Sequence, residues 1–335
     1  MVSSAETVPA VSVTVVVPVW NRRDLLEALL GTLRHQTQPP AEVIVVDSGS
    51  ADGAPEVAER WGARVIRLGR NAGFSRAANT GLAEVRTEWT ALVNSDVELA
   101  PDWIARLSAA AQGDAWFATG KALKARDPKT IDGLFDVVAR SGCAWRVGHG
   151  QRDANYHVPG QTVAVSSATA ALFRTELFAR TGPFDERFES YLEDVDLGFR
   201  CAALGLRGVY VPEAVCRHHG GASKGRWSPY VVRHIARNQV WLVAKYYSPE
   251  LLRRELWRII VGQGLWGLVA LRHGQVLAWL NGKFEGLRSA RSMRGKADVA
   301  AFLEEGERQI RRLQGTRPDA YWAWYFRLTG AGGEK

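Results

Sequence analysis

Residues 11–53 read VSVTVVVPVWNRRDLLEALLGTLRHQTQPPAEVIVVDSGSADG, and this stretch decides the fold class. A β-branched run from Val11 to Pro18 is followed by a segment with Leu25, Leu26, Leu29 and Leu33 on one helical face. A second β-branched run, Glu42–Asp47, then ends in the turn residues of Ser48–Gly53. Strand, helix, strand in this order is a crossover that pairs the two strands in parallel. Both runs are continuously apolar, the mark of strands covered on both faces.

Working outward, a short helix reaches Trp61, ARVIRL (63–68) reads as a strand, SRAANTGLAEV (75–85) as a helix and WTALVNSD (89–96) as a strand. The alternation to about Ala111 predicts an α/β fold, Rossmann-like, with a mainly parallel central sheet and flanking helices. Open sheets of this kind bind ligands at the carboxyl ends of their strands. The loops at Pro18–Asn21, Asp47–Asp52, Asn71–Ser75 and Asn94–Glu98 are therefore the places to look. Residues 115–165 are rich in glycine and polar residues and read only as loops and edge strands. Beyond them come a small-residue strand VAVSSATAALF (163–173), a turn TGPFDERF (181–188), the acidic stretch YLEDVDLGFR (191–200) and a strand GVYVP (208–212).

The chain's 335 residues suit one large α/β domain with an appendage. Three cysteines are too few, and odd in number, for a disulfide framework, so a reducing, cytoplasmic compartment is expected. Residues 1–10 are expected to be flexible, without the positive start of a signal peptide. The charge is uneven. Residues 1–223 hold 23 Lys and Arg against 26 Asp and Glu, whereas residues 224–335 hold 20 against 9. An anionic partner is thus expected for the tail alone. Its text is basic, helical and rich in tryptophan, and its longest apolar window, Leu256–Leu271, includes Arg258 and Gln263. That window is shorter than the roughly 20 residues a spanning helix needs. The tail is read as lying on an anionic membrane surface, with packing of its Trp face on the main domain as the alternative. Residues 297–317 read as a solvated helix, before an aromatic cluster YWAWYF (321–326).

In YLEDVDLGFR, Leu192, Val195, Phe199 and Ala202 follow a buried helical face, which puts Glu193 and Asp194 in the first turn. A helix N-terminus favours an ionised carboxylate, as a general base requires, although such residues also serve simply to compensate the dipole. Asp196 pairs more simply with Arg200 four residues on. Asn94-Ser95-Asp96 ends an apolar strand, where Asp96 can hold a divalent cation or cap the next helix. His218 and His219 point in different directions from a Gly-rich loop, so at most one is expected to reach that metal. Asp47 can accept from a nucleobase edge or from its own turn. Asn71 and Gly73 precede a helix bearing Arg76 and Asn79, whose first amides can face a phosphate or be ordinarily capped.

The order of VVVPVWNR, EVIVVDSGSADG, RNAGFSRAANTGL, ALVNSDVEL, TGPFDERFESYLEDVDLGFRCAALGLR and CRHHGGAS resembles the bacterial family 2 glycosyltransferases of the GT-A fold, over about residues 11–223. Within that family the likeness is to the rhamnosyltransferase and galactofuranosyltransferase types. The resemblance implies inverting transfer of a sugar, rhamnose-like or another hexose, from a nucleoside diphosphate sugar to a hydroxyl of a lipid-linked glycan or polysaccharide. It implies Asp194 as the base, with Glu193 beside it at the acceptor. It makes Asp96 and His218 the ligands of Mn²⁺ or Mg²⁺, with His219 the substitute. Asp47 matches the residue that reads the base, Pro18, Trp20 and Asn21 line the same pocket, and Asn71, Gly73, Phe74, Asn79, Asn94 and Ser95 lie along the donor. Most members carry two or three acids where this chain has Asn94-Ser95-Asp96, so one carboxylate remains for the cation. The protein is expected at the inner face of the cell membrane, as a peripheral enzyme.

A sugar-phosphate nucleotidyltransferase would need a Gly-rich phosphate loop after the first strand, and PVWNRRDLL has no glycine. A non-catalytic nucleotide-sugar or glycan-binding module would not need the Glu193-Asp194 pair. Nucleic acid is not an expected partner, because the tail's aromatics sit beside apolar residues at helical spacing, without a recognisable binding module.

Overall fold

The computed structural model describes residues 11–167, 169–220, 227–293, 298–314 and 319–330. The expected flexible segment 1–10 and the expected domain junction at 223/224 lie outside the described residues. Strands are β1 (Val13–Val19), β2 (Glu42–Asp47), β3 (Arg64–Arg67), β4 (Trp89–Val93), β5 (Val97–Leu99), β6 (Phe117–Lys124), β7 (Asp127–Gly133), β8 (Asp136–Val138), β9 (Ala144–Arg146), β10 (Gln161–Val163), β11 (Ala170–Arg174) and β12 (Gly208–His218). Helices are α1 (Arg23–Arg34), α2 (Ala54–Arg60), α3 (Phe74–Leu82), α4 (Trp103–Ala110), α5 (Glu176–Thr181) and α6 (Glu193–Ala203). The tail adds α7 (Pro229–Tyr246), α8 (Pro249–Arg272), α9 (Val276–Ser289), α10 (Ala300–Arg312) and α11 (Ala320–Leu328).

The sheet runs β10-β12-β6-β11-β4-β1-β2-β3, with β5 joining β12 and β7 joining β6. β4, β1, β2 and β3 pair in parallel, as do β12 and β6, while β11 is antiparallel to both neighbours. The sheet is therefore mixed and mostly parallel, as expected. All seven residues of β1 are buried, which accounts for its unbroken apolar text. One core lies on the face covered by α1, α2 and α4, and the other on the face covered by α3.

Two sequence expectations need correction. β6 falls in the stretch read as loops and edges, yet it lies inside the sheet between β12 and β11. Its Gly120 is the reason for the misreading. A Cβ there would sit 2.0 Å from the carbonyl oxygen of Ala214, at the irregularity of β12 between Val211 and Val215. The run 163–173 is also not one strand. It separates into the edge strand β10 and the interior strand β11, and Val165 between them packs under Gly198 of α6.

The tail shares its core with the main domain. Phe199 of α6 stacks on Tyr246 of α7 with ring centroids 4.5 Å apart, and Phe302 of α10 meets Phe199 edge-on. α10 is consequently not the solvated helix expected, since Phe302, Leu303, Glu307 and Ile310 are buried. In the aromatic cluster, Trp322 and Tyr325 are buried and Trp324 is exposed. α7 and α9 approach closely through Gly282, where a Cβ would lie 2.2 Å from the carbonyl of Arg233. The opposite side of this layer is apolar and open: Leu252, Leu256, Trp257 and Ile260 of α8, and Leu277, Leu280, Phe284 and Leu287 of α9, are all exposed.

Asp196 joins the two parts. It is fully buried and meets Arg200 at 3.0 Å, as its spacing implied, but also Lys245 Nζ at 2.6 Å and the Tyr246 hydroxyl at 2.8 Å. Removing one member of such a group leaves buried charge without its counterpart. Asp196→Ala is expected to lower unfolding free energy by about 3 kcal/mol or more. Denaturant titration of the variant beside the parent measures this.

Candidate active site

A cleft of about 520 Å³ opens at the carboxyl ends of β1 and β4. Pro18 and Trp20 line it from the end of β1, Asn71, Gly73 and Phe74 from the start of α3, and Asn94, Ser95 and Asp96 from the turn after β4. Glu193 and Asp194 face it from α6, and His218 from the end of β12. Residues far apart in the chain thus meet where the open-sheet rule placed them.

Three expected donor residues are not in the lining. Asp47 is buried and accepts the amides of Gly49 and Ser50, each at 3.1 Å, so it folds its own turn, while the adjacent Ser48 faces the cleft. Asn21 has a left-handed backbone, with φ of 58°, and its side chain accepts the amide of Ala51 at 3.0 Å. It braces one strand-end loop against the next. Asn79 donates to the Phe184 carbonyl at 2.8 Å and accepts the Phe184 amide at 2.9 Å, tying α3 to the segment before α6.

At the Glu193-Asp194 end of the cleft, the chain enters α6 through an unusual turn. Glu189, Tyr191 and Leu192 have φ of 59°, 71° and 65°, and none is glycine. Left-handed backbone costs a side-chain-bearing residue about 1–2 kcal/mol. It turns the chain so that Glu193 and Asp194 are the first helical residues and still border the cleft. Both are largely buried. Asp194 Oδ1 accepts the Val195 amide at 2.8 Å. The Glu193 Oε2 has no hydrogen-bonding partner among the described residues. Burial, together with the charge of Asp194, pushes the Glu193 carboxyl well above its ordinary range, with the more distant Arg146 opposing. Glu193 is thus the carboxyl whose charged form burial and its neighbour disfavour.

On the opposite side, His218 Nε2 lies 3.4 Å from Asp96 Oδ1, while its Nδ1 is 2.7 Å from Asp132 Oδ2. Burial disfavours the imidazolium, but these two carboxylates outweigh it and raise His218 to about 9. Burial likewise opposes ionisation of Asp96, and His218 outweighs it to hold the carboxyl below its usual range. His219 faces elsewhere, with Nε2 2.8 Å from Glu98, so it does not share the Asp96 side of the cleft. Among the described residues no group of three or more His, Cys, Asp or Glu side chains is assembled for a metal.

Several lining residues escaped the sequence reading. Arg146 and its partner Asp136, 3.3 Å apart, lie on the β8–β9 hairpin in the stretch read as loops. Asp132 belongs to the same region, and its pairing with His218 spans 86 positions, so no local pattern announces it. Tyr230, Ile235 and Gln239 of α7 and Trp266 of α8 form the remaining wall. The tail therefore helps to build the site.

The family model described as glycosyl transferase family 2 matches residues 14–182, and that of glycosyl transferase family group 2 matches residues 145–294. The chain belongs to glycosyl transferase family 2. This glycosyltransferase is similar to the N-acetylglucosaminyl-diphospho-decaprenol L-rhamnosyltransferase of Mycobacterium tuberculosis, 28% identical over 295 residues, covering 80% of this chain and 92% of the relative. Its fold is that of a mannosyltransferase from Pyrobaculum calidifontis solved with GDP-Man and Mn2+, with 22% identity, a TM-score of 0.51 and coverage of 97% and 88% of the two chains. GalNAc-T7, solved with UDP, GalNAc and Mn2+, shares it at 12% identity with a TM-score of 0.58, over 96% of this chain and 57% of that one. The GT-A fold is thereby established, with helices added at its carboxyl end. Among the described residues no helix is long and apolar enough to cross a membrane.

The buried Glu193 carboxyl has a consequence for stability. Its folded pKa lies above the ordinary 4.5, so the folded state holds a proton that the unfolded state releases. Its contribution is complete below that ordinary value and is lost as pH rises through the folded one. Glu193→Gln is expected to flatten this decline and to raise the melting temperature at pH 8 relative to the parent. Melting curves across pH 4–9 measure this.

Proposed function

We propose that the enzyme transfers a sugar, rhamnose-like or another hexose, with inversion, from a nucleoside diphosphate sugar to a hydroxyl of a lipid-linked glycan or polysaccharide. The observation that carries this reading is that the Glu193-Asp194 pair and the Asp96-His218 pair border the same cleft. One pair suits proton removal and the other suits a diphosphate's counter-charge.

In this mechanism Asp194 accepts the proton of the acceptor hydroxyl, and the oxygen attacks the anomeric carbon from the face opposite the diphosphate. The Arg146 guanidinium also lines the cleft, and its charge is favoured by Asp136, Asp132 and Asp194. Glu193, whose carboxyl burial and the charge of Asp194 push above its ordinary range, is the member of the pair that holds a proton more readily and donates it in a hydrogen bond to a substrate oxygen. Trp20, Phe74, Asn94 and Ser95 line the part of the cleft assigned to the donor, and Ser48 lines it beside the buried Asp47, the residue expected to read the nucleobase.

Asp96 and His218 fit a divalent cation, Mn²⁺ or Mg²⁺. Asp132 secures one imidazole nitrogen and so leaves the other directed at the Asp96 side, the usual outer-shell arrangement for a ligating histidine. When bound, the cation would neutralise the charge of the departing diphosphate.

A lipid-linked acceptor agrees with the diphospho-decaprenol substrate in the name of the mycobacterial relative. It also agrees with the exposed apolar residues of α8 and α9 and with the basic balance of the tail. This face would lie in the interfacial plane of the anionic inner leaflet.

Two measurements test the reading. Asp194→Asn is expected to lower transfer by about 10²–10⁴-fold while donor affinity stays within a few-fold. Transfer at the parental rate would refute the base. For the membrane face, Leu280→Glu combined with Phe284→Glu is expected to abolish sedimentation with anionic vesicles at an unchanged melting temperature. Undiminished binding would refute that surface.

A further inference from the structure

The turn that aims Asp194 is held from outside the donor domain. Three side chains one helical turn apart on α7 reach it: His234, Arg237 and Asn238. Asn238 is fully buried, and its amide nitrogen donates to the carbonyls of Phe188, Ser190 and Tyr191 at 3.1, 3.1 and 2.7 Å. Its oxygen accepts Arg237 Nε at 3.0 Å, which fixes the amide's orientation. Arg237, also buried, donates to the Phe188 carbonyl at 3.1 Å and to the Glu189 carboxylate at 3.1 Å. His234 meets the same carboxylate at 3.3 Å.

These contacts fall on the segment whose backbone is left-handed at Glu189, Tyr191 and Leu192. Local sequence does not favour such a conformation, so surrounding contacts must impose it. The Phe188 carbonyl also receives the Ser190 amide at 2.7 Å, whereas Asn238 is the donor to the Ser190 and Tyr191 carbonyls, groups that need a partner away from water. Neither Asn238 nor Arg237 lines the cleft.

We propose that Asn238, oriented by Arg237, is a positioning residue for transfer: it sets the turn 188–192 and through it the aim of Asp194. This rests on the reading of Asp194 as the base. A small error in that aim is costly, because proton removal requires hydrogen-bond geometry at the acceptor hydroxyl. The tail helix is then part of the catalytic apparatus without touching substrate.

The test uses the full-length chain, with UDP-, dTDP- and GDP-rhamnose as donors and N-acetylglucosaminyl-diphospho-decaprenol as acceptor. Asn238→Ala is expected to lower kcat about 100-fold and to leave donor KM within about two-fold. Amide exchange across residues 189–194 should accelerate. The deciding comparison is the pair with Asp194→Asn: if Asn238 acts through the base, the double variant is no slower than Asp194→Asn alone. Equal fractional losses in both backgrounds, an unchanged kcat, or a donor KM that rises in step would each overturn the proposal. Should Asn238→Ala fail to fold, Asn238→Ser, which keeps one donor, replaces it; failure of both makes the residue purely structural and ends the proposal. Absence of transfer by the parent, or full activity of Asp194→Asn, overturns the functional reading instead. Unchanged exchange in 189–194 overturns the positioning role whatever the substrate.

Discussion

The left-handed turn at Glu189–Leu192 is the constraint on which the site depends. A helix that began with ordinary entry geometry would carry Glu193 and Asp194 along a different line from the sheet. The turn brings them to the edge of the cleft while Val195 and Phe199, on the next face, remain in the core. Its backbone groups are satisfied from two directions. The Ser75 amide, at the start of α3, donates to the Glu189 carbonyl at 2.9 Å, and Asn238 donates to the Ser190 and Tyr191 carbonyls from α7. The start of α3, the turn into α6 and the tail helix α7 are thereby one hydrogen-bonded unit.

The uneven charge of the chain has a corresponding division of labour. Several acidic groups of the α/β part are buried and paired, as Asp132 and Asp96 are around His218 and Asp196 is within α6. The cationic excess sits in the tail, whose helices have two working faces. One closes the cleft through Tyr230, Gln239 and Trp266, and the other presents Leu277, Leu280, Phe284 and Leu287 outward. In the proposed function the same helices that meet the lipid also wall the site, which places an acceptor attached to lipid near the base.

The parallel half of the sheet was legible because its strands carry unbroken β-branched text and its crossovers carry helical periodicity. Val13–Val19 and Glu42–Asp47 needed no information from elsewhere. β6 was not legible, because Gly120 is required by the close approach of Ala214, a partner 94 positions away. The site divides in the same manner. Asp96, Glu193, Asp194 and His218 stand at ends of recognisable elements, and all face the cleft. Arg146, Asp132 and Asn238 act through partners distant in sequence, and their neighbours give no pattern. Asp47, Asn21 and Asn79 show the converse: polar residues at strand and helix ends whose side chains are used up by the backbone of adjoining loops.

The central claim is that Asp194 serves a single displacement at the anomeric carbon, and the stereochemistry of the product tests it most directly. Proton NMR of the newly formed glycosidic bond, compared with that of the nucleoside diphosphate sugar consumed, reads the configuration at that carbon. The account predicts inversion. Retention would contradict it, since it would require a second displacement or attack from the face of the departing diphosphate.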